Sequence, residues 1–342
     1  MQLKLPDPQE LTNLCAAHAA GFNLPGRALC TSRNATERVI PIDLKRRHHI
    51  YVPDFRHPSI PAGVNIISGL AKIYTEAGHI REKNVVDHSL IQILDAHYHD
   101  LDKGKQKLAA DNVIGLFLDL AEAIEYRFEW ARMQVFSTGA LTVAHPTAIF
   151  AVDYQVAADH KVTLTTTSKW DGDGTIGNFV GSVPGDFRNA KQAVEAHSGK
   201  QCTDVVMNQT TYDQMWAALE VEFPGTNENN ALPPGWRDQH LNNHVKQIKG
   251  VEIHIDNRMA AFTEKDGTTA VTMLANGAVV FHTGTPIVRY NGLVTDLDAP
   301  TSNGHWAKTN VVADPSSVET IVQANEIPSL PNPDEIYILT AY

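Results

Sequence analysis

The sequence predicts an α+β protein organised around one very long helix, and three observations carry that expectation. Val113, Phe117, Leu120, Ile124, Phe128, Ala131 and Val135 recur at spacings of three and four, so they share one face of a helix read over 106–137. Between residues 186 and 255, short apolar strands alternate with helical stretches, the pattern of a mixed α/β unit. The end of the chain then returns to strand character at Lys308–Val312, Val318–Gln323 and Ile336–Thr340.

At 1.5 Å per residue the long helix is a rod of about 45–50 Å, roughly three times the usual globular length. Asp111, Asp119, Glu122, Glu129 and Arg132 fall mostly away from its apolar stripe, and these charges exclude a membrane span. Ile114, Leu116, Leu118 and Ala121 widen the stripe beyond a two-position seam, which disfavours a coiled coil. The remaining role is a strut. Gly115 is its one poor helix former, and Gly139, after Ser137-Thr138, supplies a residue tolerant of a left-handed C-terminal turn.

Ahead of the rod, residues 1–45 read as an arm: a short helix over Gln9–Ala20, then an extended Ala35–Leu44 in which Pro41 forbids a central ladder position. Ile50–Pro61 is proline-rich, and Gly63–Ile67 with Leu70–Thr75 reads as a hairpin around Ser68-Gly69. Arg46, Arg47, Arg56, Lys72, Arg81 and Lys83 make this region basic within a chain of formal charge −11. Val85–Leu94 is a second helical candidate.

Behind the rod, Leu141–Val156 and Lys161–Thr167 read as a long hairpin turning at 157–160, followed by a Gly/Asp-rich loop over 169–185. A helix over Asp186–His197 with Asp186 as N-cap, a strand at Thr203–Met207 and a helix over Thr210–Leu219 come next. Phe223–Trp236 is a polar loop placed at a tip. Val251–Ile255, Val271–Leu274 and Ala278–His282 are strands, the last two flanking a turn at Asn276-Gly277.

Composition excludes several functional classes. No run of 18 apolar residues is present, so no membrane helix is expected, and Met1–Glu10 lacks the basic-then-apolar order of a leader. Cys15, Cys30 and Cys202 are too far apart for a zinc knuckle or a disulfide framework. The negative charge argues against broad electrostatic binding to nucleic acid. His97-x-His99 and His240-x-x-x-His244 have ligand-like spacing, but neither has an evident third ligand, and no Glu follows His240 as in a metalloprotease helix. Asp171-x-Asp173-x-Thr175 opens like a calcium loop, yet Ser182 stands where the bidentate Glu belongs. No phosphate-binding glycine loop and no nucleophile elbow occurs. Catalytic residues, bound metal and cofactor are therefore none of them expected.

The C-terminal pattern points elsewhere. Ala307-Lys308-Thr309-Asn310, Asp314-Pro315, Gln323, Leu330 and Pro333-Asp334-Glu335 before a terminal strand resemble the end of tailed-phage major capsid proteins of the lambda type, the E protein family. The element order fits as well: an arm, an extended hairpin ending in Ile80-x-x-Lys83, a long helix with Glu129 ahead of Thr138-Gly139, then strands. The resemblance implies the Hong Kong 97-like capsid fold. It assigns 1–45 to the N-terminal arm, 46–86 to the E-loop and 87–187 to the P domain with its spine helix. Residues 188–300 become a mixed α/β A domain and 301–342 the returning P-domain strands.

The function implied is a major capsid protein that self-assembles as hexamers and pentamers into an icosahedral shell around double-stranded DNA. Its partners would be further copies of itself with scaffolding, portal and decoration proteins, without sequence-specific DNA binding or a membrane. Its place would be the virion capsid, assembled in the host cytoplasm. The assembly interface is assigned to Arg56, Val64, Ile66, Lys72, Tyr74, His79, Arg81 and Lys83, and the core face of the spine to Phe117, Leu120, Ile124 and Phe128. Two alternatives stand beside this reading: an encapsulin-like compartment, which shares the fold, and a metallohydrolase using His240 and His244.

Overall fold

The structure, a computed structural model, describes residues 7–22, 24–45, 70–86, 103–145, 148–224, 232–242, 245–256, 273–294, 302–313 and 316–342. The chain opens with helices α1 (Pro8–Gly21) and α2 (Pro25–Ala28), then strands β1 (Cys30–Asn34), β2 (Val39–Lys45), β3 (Leu70–Glu76) and β4 (Gly78–Val86). The long helix α3 (Lys103–Thr138) is followed by β5 (Ala140–His145), β6 (Ala148–Asp153) and β7 (Lys161–Thr163). Helix α4 (Val183–Ser198), strand β8 (Asp204–Asn208), helices α5 (Gln209–Glu222) and α6 (Trp236–Asn242), β9 (Gln247–Ile248) and β10 (Val251–Asp256) come next. The remaining strands are β11 (Ala278–His282), β12 (Ile287–Asn291), β13 (Leu293–Val294), β14 (Ser302–Asn303), β15 (His305–Ala313), β16 (Ser316–Ser329) and β17 (Ile336–Thr340).

Two compact units share this chain. The first comprises Met1–Ile40, Tyr74–Ala131 and Arg289–Pro328. It is built on a five-stranded sheet in the order β1-β12-β16-β15, with β4 also pairing β16. Its core joins Phe117, Leu120, Ala121, Ile124 and Phe128 of α3 to Leu11 and Cys15 of α1 and to Ala307, Val322 and Ala324 of the sheet. Burying each large side chain there contributes about 1.5–3 kcal/mol. The hydroxyl of Thr12 accepts from the Ala307 N–H at 3.0 Å, fixing α1 against β15.

Pro41–Ile73, Arg132–Val288 and Ser329–Tyr342 form the second unit. Its six-stranded mixed sheet has the order β7-β17-β11-β8-β10-β9, with β8 parallel to β10 and β7 parallel to β17. Period-two positions Val205 and Met207, Val251 and Ile253, Val279 and Phe281, and Tyr337 and Leu339 enter one core. Val183, Phe187, Ala190 and Val194 of α4 and Met215, Trp216 and Leu219 of α5 complete it. The returning segment 301–342 thus serves both sheets, since β15 and β16 belong to the first and β17 to the second.

Several local expectations need correction. Lys103–Thr138 exceeds the read helix at both ends; Gly139 closes it with φ +70° and donates its N–H to the Val135 carbonyl. Glu129 and Arg132 of α3, read as facing away from the stripe, are buried. For Glu129 the reason is a hydrogen-bonded partner, described below. The hairpin lies within 140–153, where β5 pairs β6 antiparallel, and 158–160, read as its turn, is a short turn of helix instead. Lys161–Thr163 instead runs parallel to β17. Helix α4 starts three residues before Asp186: Ser182 is the N-cap, its hydroxyl accepting from the Gly185 N–H at 3.1 Å. Val85 and Val86 end a strand rather than begin a helix, while 87–94 lies outside the described residues. Leu70–Glu76 pairs with β2 in a two-stranded ribbon, and 63–67 lies outside the described residues.

Candidate assembly interface

Strand β4 carries three of the residues assigned to the interface from sequence, His79, Arg81 and Lys83. It pairs antiparallel with β16, His79 opposite Asn325, Arg81 opposite Gln323 and Lys83 opposite Ile321. Alternation of side chains then sorts the strand into two faces. His79, Arg81, Lys83 and Val85 are exposed, whereas Ile80, Glu82 and Asn84 are partly buried. Ile80 packs against the α3 core, and the Asn84 side-chain amide donates to the Leu116 carbonyl of α3 at 3.4 Å. The helix therefore sets which face of β4 is left outward.

The outward face is partly satisfied within the chain. Lys83 Nζ donates to Glu319 Oε1 at 2.6 Å, and this bond is the main cause holding the Glu319 carboxyl below its usual range. His79 Nδ1 lies 2.5 Å from Asn325 Oδ1. Arg38, just before β2, pairs with Glu76 of β3 at 3.2 Å in an exposed bridge. Val85, on the same face, is 57% exposed. Beside this face, Lys308 lies over the Trp306 ring at 4.9 Å from its centroid.

Arg56, Val64 and Ile66 fall outside the described residues; Lys72 and Tyr74 are placed on the β3 backbone. Phe117, Leu120, Ile124 and Phe128 all lie in the core of the first unit. Sequence reading missed the short helix α2 and the group that holds it. Glu129 of α3 accepts from the Gly26 N–H at 2.6 Å through Oε1 and from the Arg27 N–H at 3.1 Å through Oε2. A carboxylate thus answers the open N–H groups of a helix start from another element, 103 residues away in sequence. Of the histidines weighed for metal, His240 instead stacks on Trp216 at 4.0 Å and meets the Tyr212 hydroxyl at 3.1 Å, while His97, His99 and His244 lie outside the described residues.

The family described as phage major capsid protein E matches residues 68–341. Among solved structures, the chain is similar to a putative capsid protein of a prophage of Escherichia coli CFT073, with 11% identity, a TM-score of 0.65 and coverage of 98% of this chain and 99% of that one. It is also similar to the procapsid of satellite phage P4, with its size-determination protein, at 12% identity and a TM-score of 0.52, covering 100% of this chain and 92% of the other. A phage-related protein of Bordetella bronchiseptica gives 14% identity, a TM-score of 0.52 and coverage of 99% and 98%. No curated protein matches this sequence. At such identities the structural likeness establishes the Hong Kong 97-like fold, and the family match establishes the rest. This chain belongs to the phage major capsid protein E family: it is a structural protein of the virion that self-assembles into the icosahedral shell around the genome of a tailed phage.

Proposed function

We propose that the segment 46–86, with the outward face of β4 at its end, is the clasp by which one subunit holds the next in the shell. The supporting observation is the exposed row His79, Arg81, Lys83 and Val85 on a strand whose other face is taken up by the subunit's own helix. Because Glu319 answers Lys83 within the chain, Arg81 and Val85 carry most of the contact, a cation and an apolar side chain meeting an acidic, partly apolar surface of a second copy. In this reading 1–45 is the arm, 87–187 the P domain and 188–300 the A domain. Arg56, Val64, Ile66, Lys72 and Tyr74 extend the same contact. Hexamers and pentamers of such subunits would assemble in the host cytoplasm with scaffolding, portal and decoration proteins, and no catalysis is involved.

The double variant Arg81→Glu/Val85→Asp tests the clasp. Both side chains are exposed, so the subunit is expected to remain folded by circular dichroism. Sedimentation should show free subunits or loose capsomers where the wild type closes shells. Arg81→Glu alone should weaken shells more at low salt than at high salt, since screening removes part of the repulsion. Shells of normal size and stability from the double variant would refute the clasp.

A further inference from the structure

We propose that Asp159, His160 and His197 form a binding site for a divalent transition ion of the zinc class. All three belong to the second unit. Asp159 and His160 lie in the short turn of helix at Ala158–His160 that leads into β7, and His197 is in the last turn of α4. Their donor atoms fall within 4.8 Å of one another.

The hydrogen bonds fix which atoms are available. His160 is buried, and its Nδ1 lies 2.7 Å from the Ile336 carbonyl, which can only accept. The His160 proton is therefore on Nδ1, and Nε2 offers a lone pair. A metal-binding imidazole is commonly oriented in this way, its outer N–H held by a backbone carbonyl. That Nε2 points at His197 Nδ1 from 2.6 Å, the ring centroids 4.8 Å apart and the ring planes inclined by 28°. Two nitrogens at that distance share one proton, carried on His197 Nδ1. Asp159 Oδ2 stands 3.6 Å from His197 Nε2 on the opposite side of the ring.

An ion would bind the lone pairs of His160 Nε2 and His197 Nδ1, with water in the open positions and the Asp159 carboxylate holding the His197 ring from its Nε2 side. The proton between the rings then moves to His197 Nε2, beside the carboxylate. Two ligands of a tetrahedral ion at bonds of about 2.0–2.1 Å stand about 3.4 Å apart, so the two nitrogens must separate by roughly 0.8 Å from their 2.6 Å. His197 can make that movement, because its side chain is 38% exposed while His160 is fixed in the core. Imidazole donors select zinc-class ions over calcium or magnesium. The ion would tie the start of β7 to the end of α4, beside the first residue of β17.

A second group, Asp204, Glu252 and His254, is less suited. It has a single imidazole, His254, which meets Asp204 Oδ1 at 2.8 Å and is exposed, whereas the first group has two imidazoles, one of them buried.

The full chain, stripped with chelator, should bind ZnCl2 at one equivalent by calorimetry. With CoCl2 it should show the intense visible absorption of a tetrahedral nitrogen–oxygen site, and saturating ZnCl2 should raise Tm. His197→Ala and Asp159→Asn should each weaken binding about tenfold or more and abolish the Tm rise. His254→Ala should bind as the wild type does. Circular dichroism checks that the variants fold, and Asp159→Asn, an exposed position, decides the matter if His197→Ala does not fold. Absence of saturable binding would overturn the proposal and leave a proton-sharing histidine pair. So would undiminished binding by Asp159→Asn, or loss of binding in His254→Ala, which would place the ion on the other cluster.

Discussion

At the scale of single residues, the two units hold polar groups that titrate or pair under constraint. Asp186, in the first turn of α4, has its pKa raised to about 6, first by burial and then by the nearby Glu222 charge, against the Trp170 Nε1–H that donates to it at 2.9 Å. A carboxyl with a raised folded value takes up its proton more readily when folded. Its contribution is fully present below the unfolded value near 4 and is lost as pH rises through about 6. Asp186→Asn keeps an acceptor for Trp170 and removes the charge, so it should stabilise the protein at pH 7.5 by on the order of 1 kcal/mol after allowing for the partial exposure of the site. Near pH 4 the same change should be close to neutral; calorimetric Tm values at the two pH values check this. Glu129 is constrained by pairing, a buried carboxyl group receiving two backbone N–H groups from α2. Glu129→Gln can accept only one of them through oxygen, and a cost of about 1–3 kcal/mol is expected in denaturant unfolding.

At the scale of elements, the long helix decides both what was legible in the sequence and what was not. Its apolar stripe was readable because a 3.6-residue period is local information, and Phe117, Leu120, Ile124 and Phe128 do enter one core. The burial of Glu129 was not readable, because a charge is buried only when another segment supplies its partner, and Gly26 and Arg27 lie about a hundred residues upstream. The hairpin at 140–153 was misplaced for a related reason: valine, threonine and isoleucine mark strands but do not settle which of them pair. Likewise His160 and His197 are 37 residues apart and share no spacing motif, so only the packing of α4 beside the start of β7 brings them together. Phe128→Asp would place an unpaired charge among Leu11, Cys15 and Ile124, at a cost of several kcal/mol against a domain stability of about 5–15 kcal/mol. Insoluble subunits are expected, whereas Asp119→Asn, at an exposed position of the same helix, should be tolerated. Expression yield and circular dichroism of the two variants compare them directly.

At the scale of the whole molecule, the formal charge of −11 has a consequence for a shell that must fill with DNA and later empty. Phosphate carries one negative charge per ~1.7 Å of duplex axis, so a wall with many basic side chains would hold the genome by releasing counterions. Here the basic residues of β4 are partly engaged: Lys83 already answers Glu319, and in the proposed clasp Arg81 faces another subunit rather than the interior. A wall with net negative charge repels phosphate within about a Debye length, near 8 Å at physiological salt, and lower salt lengthens that range. Empty shells mixed with short duplex DNA that can enter them should therefore retain little of it, and should retain less as salt is lowered. Measuring the DNA that co-sediments with shells across a salt series checks this. Retention that grows at low salt would mean that basic side chains collect on the inner surface despite the charge of the chain as a whole.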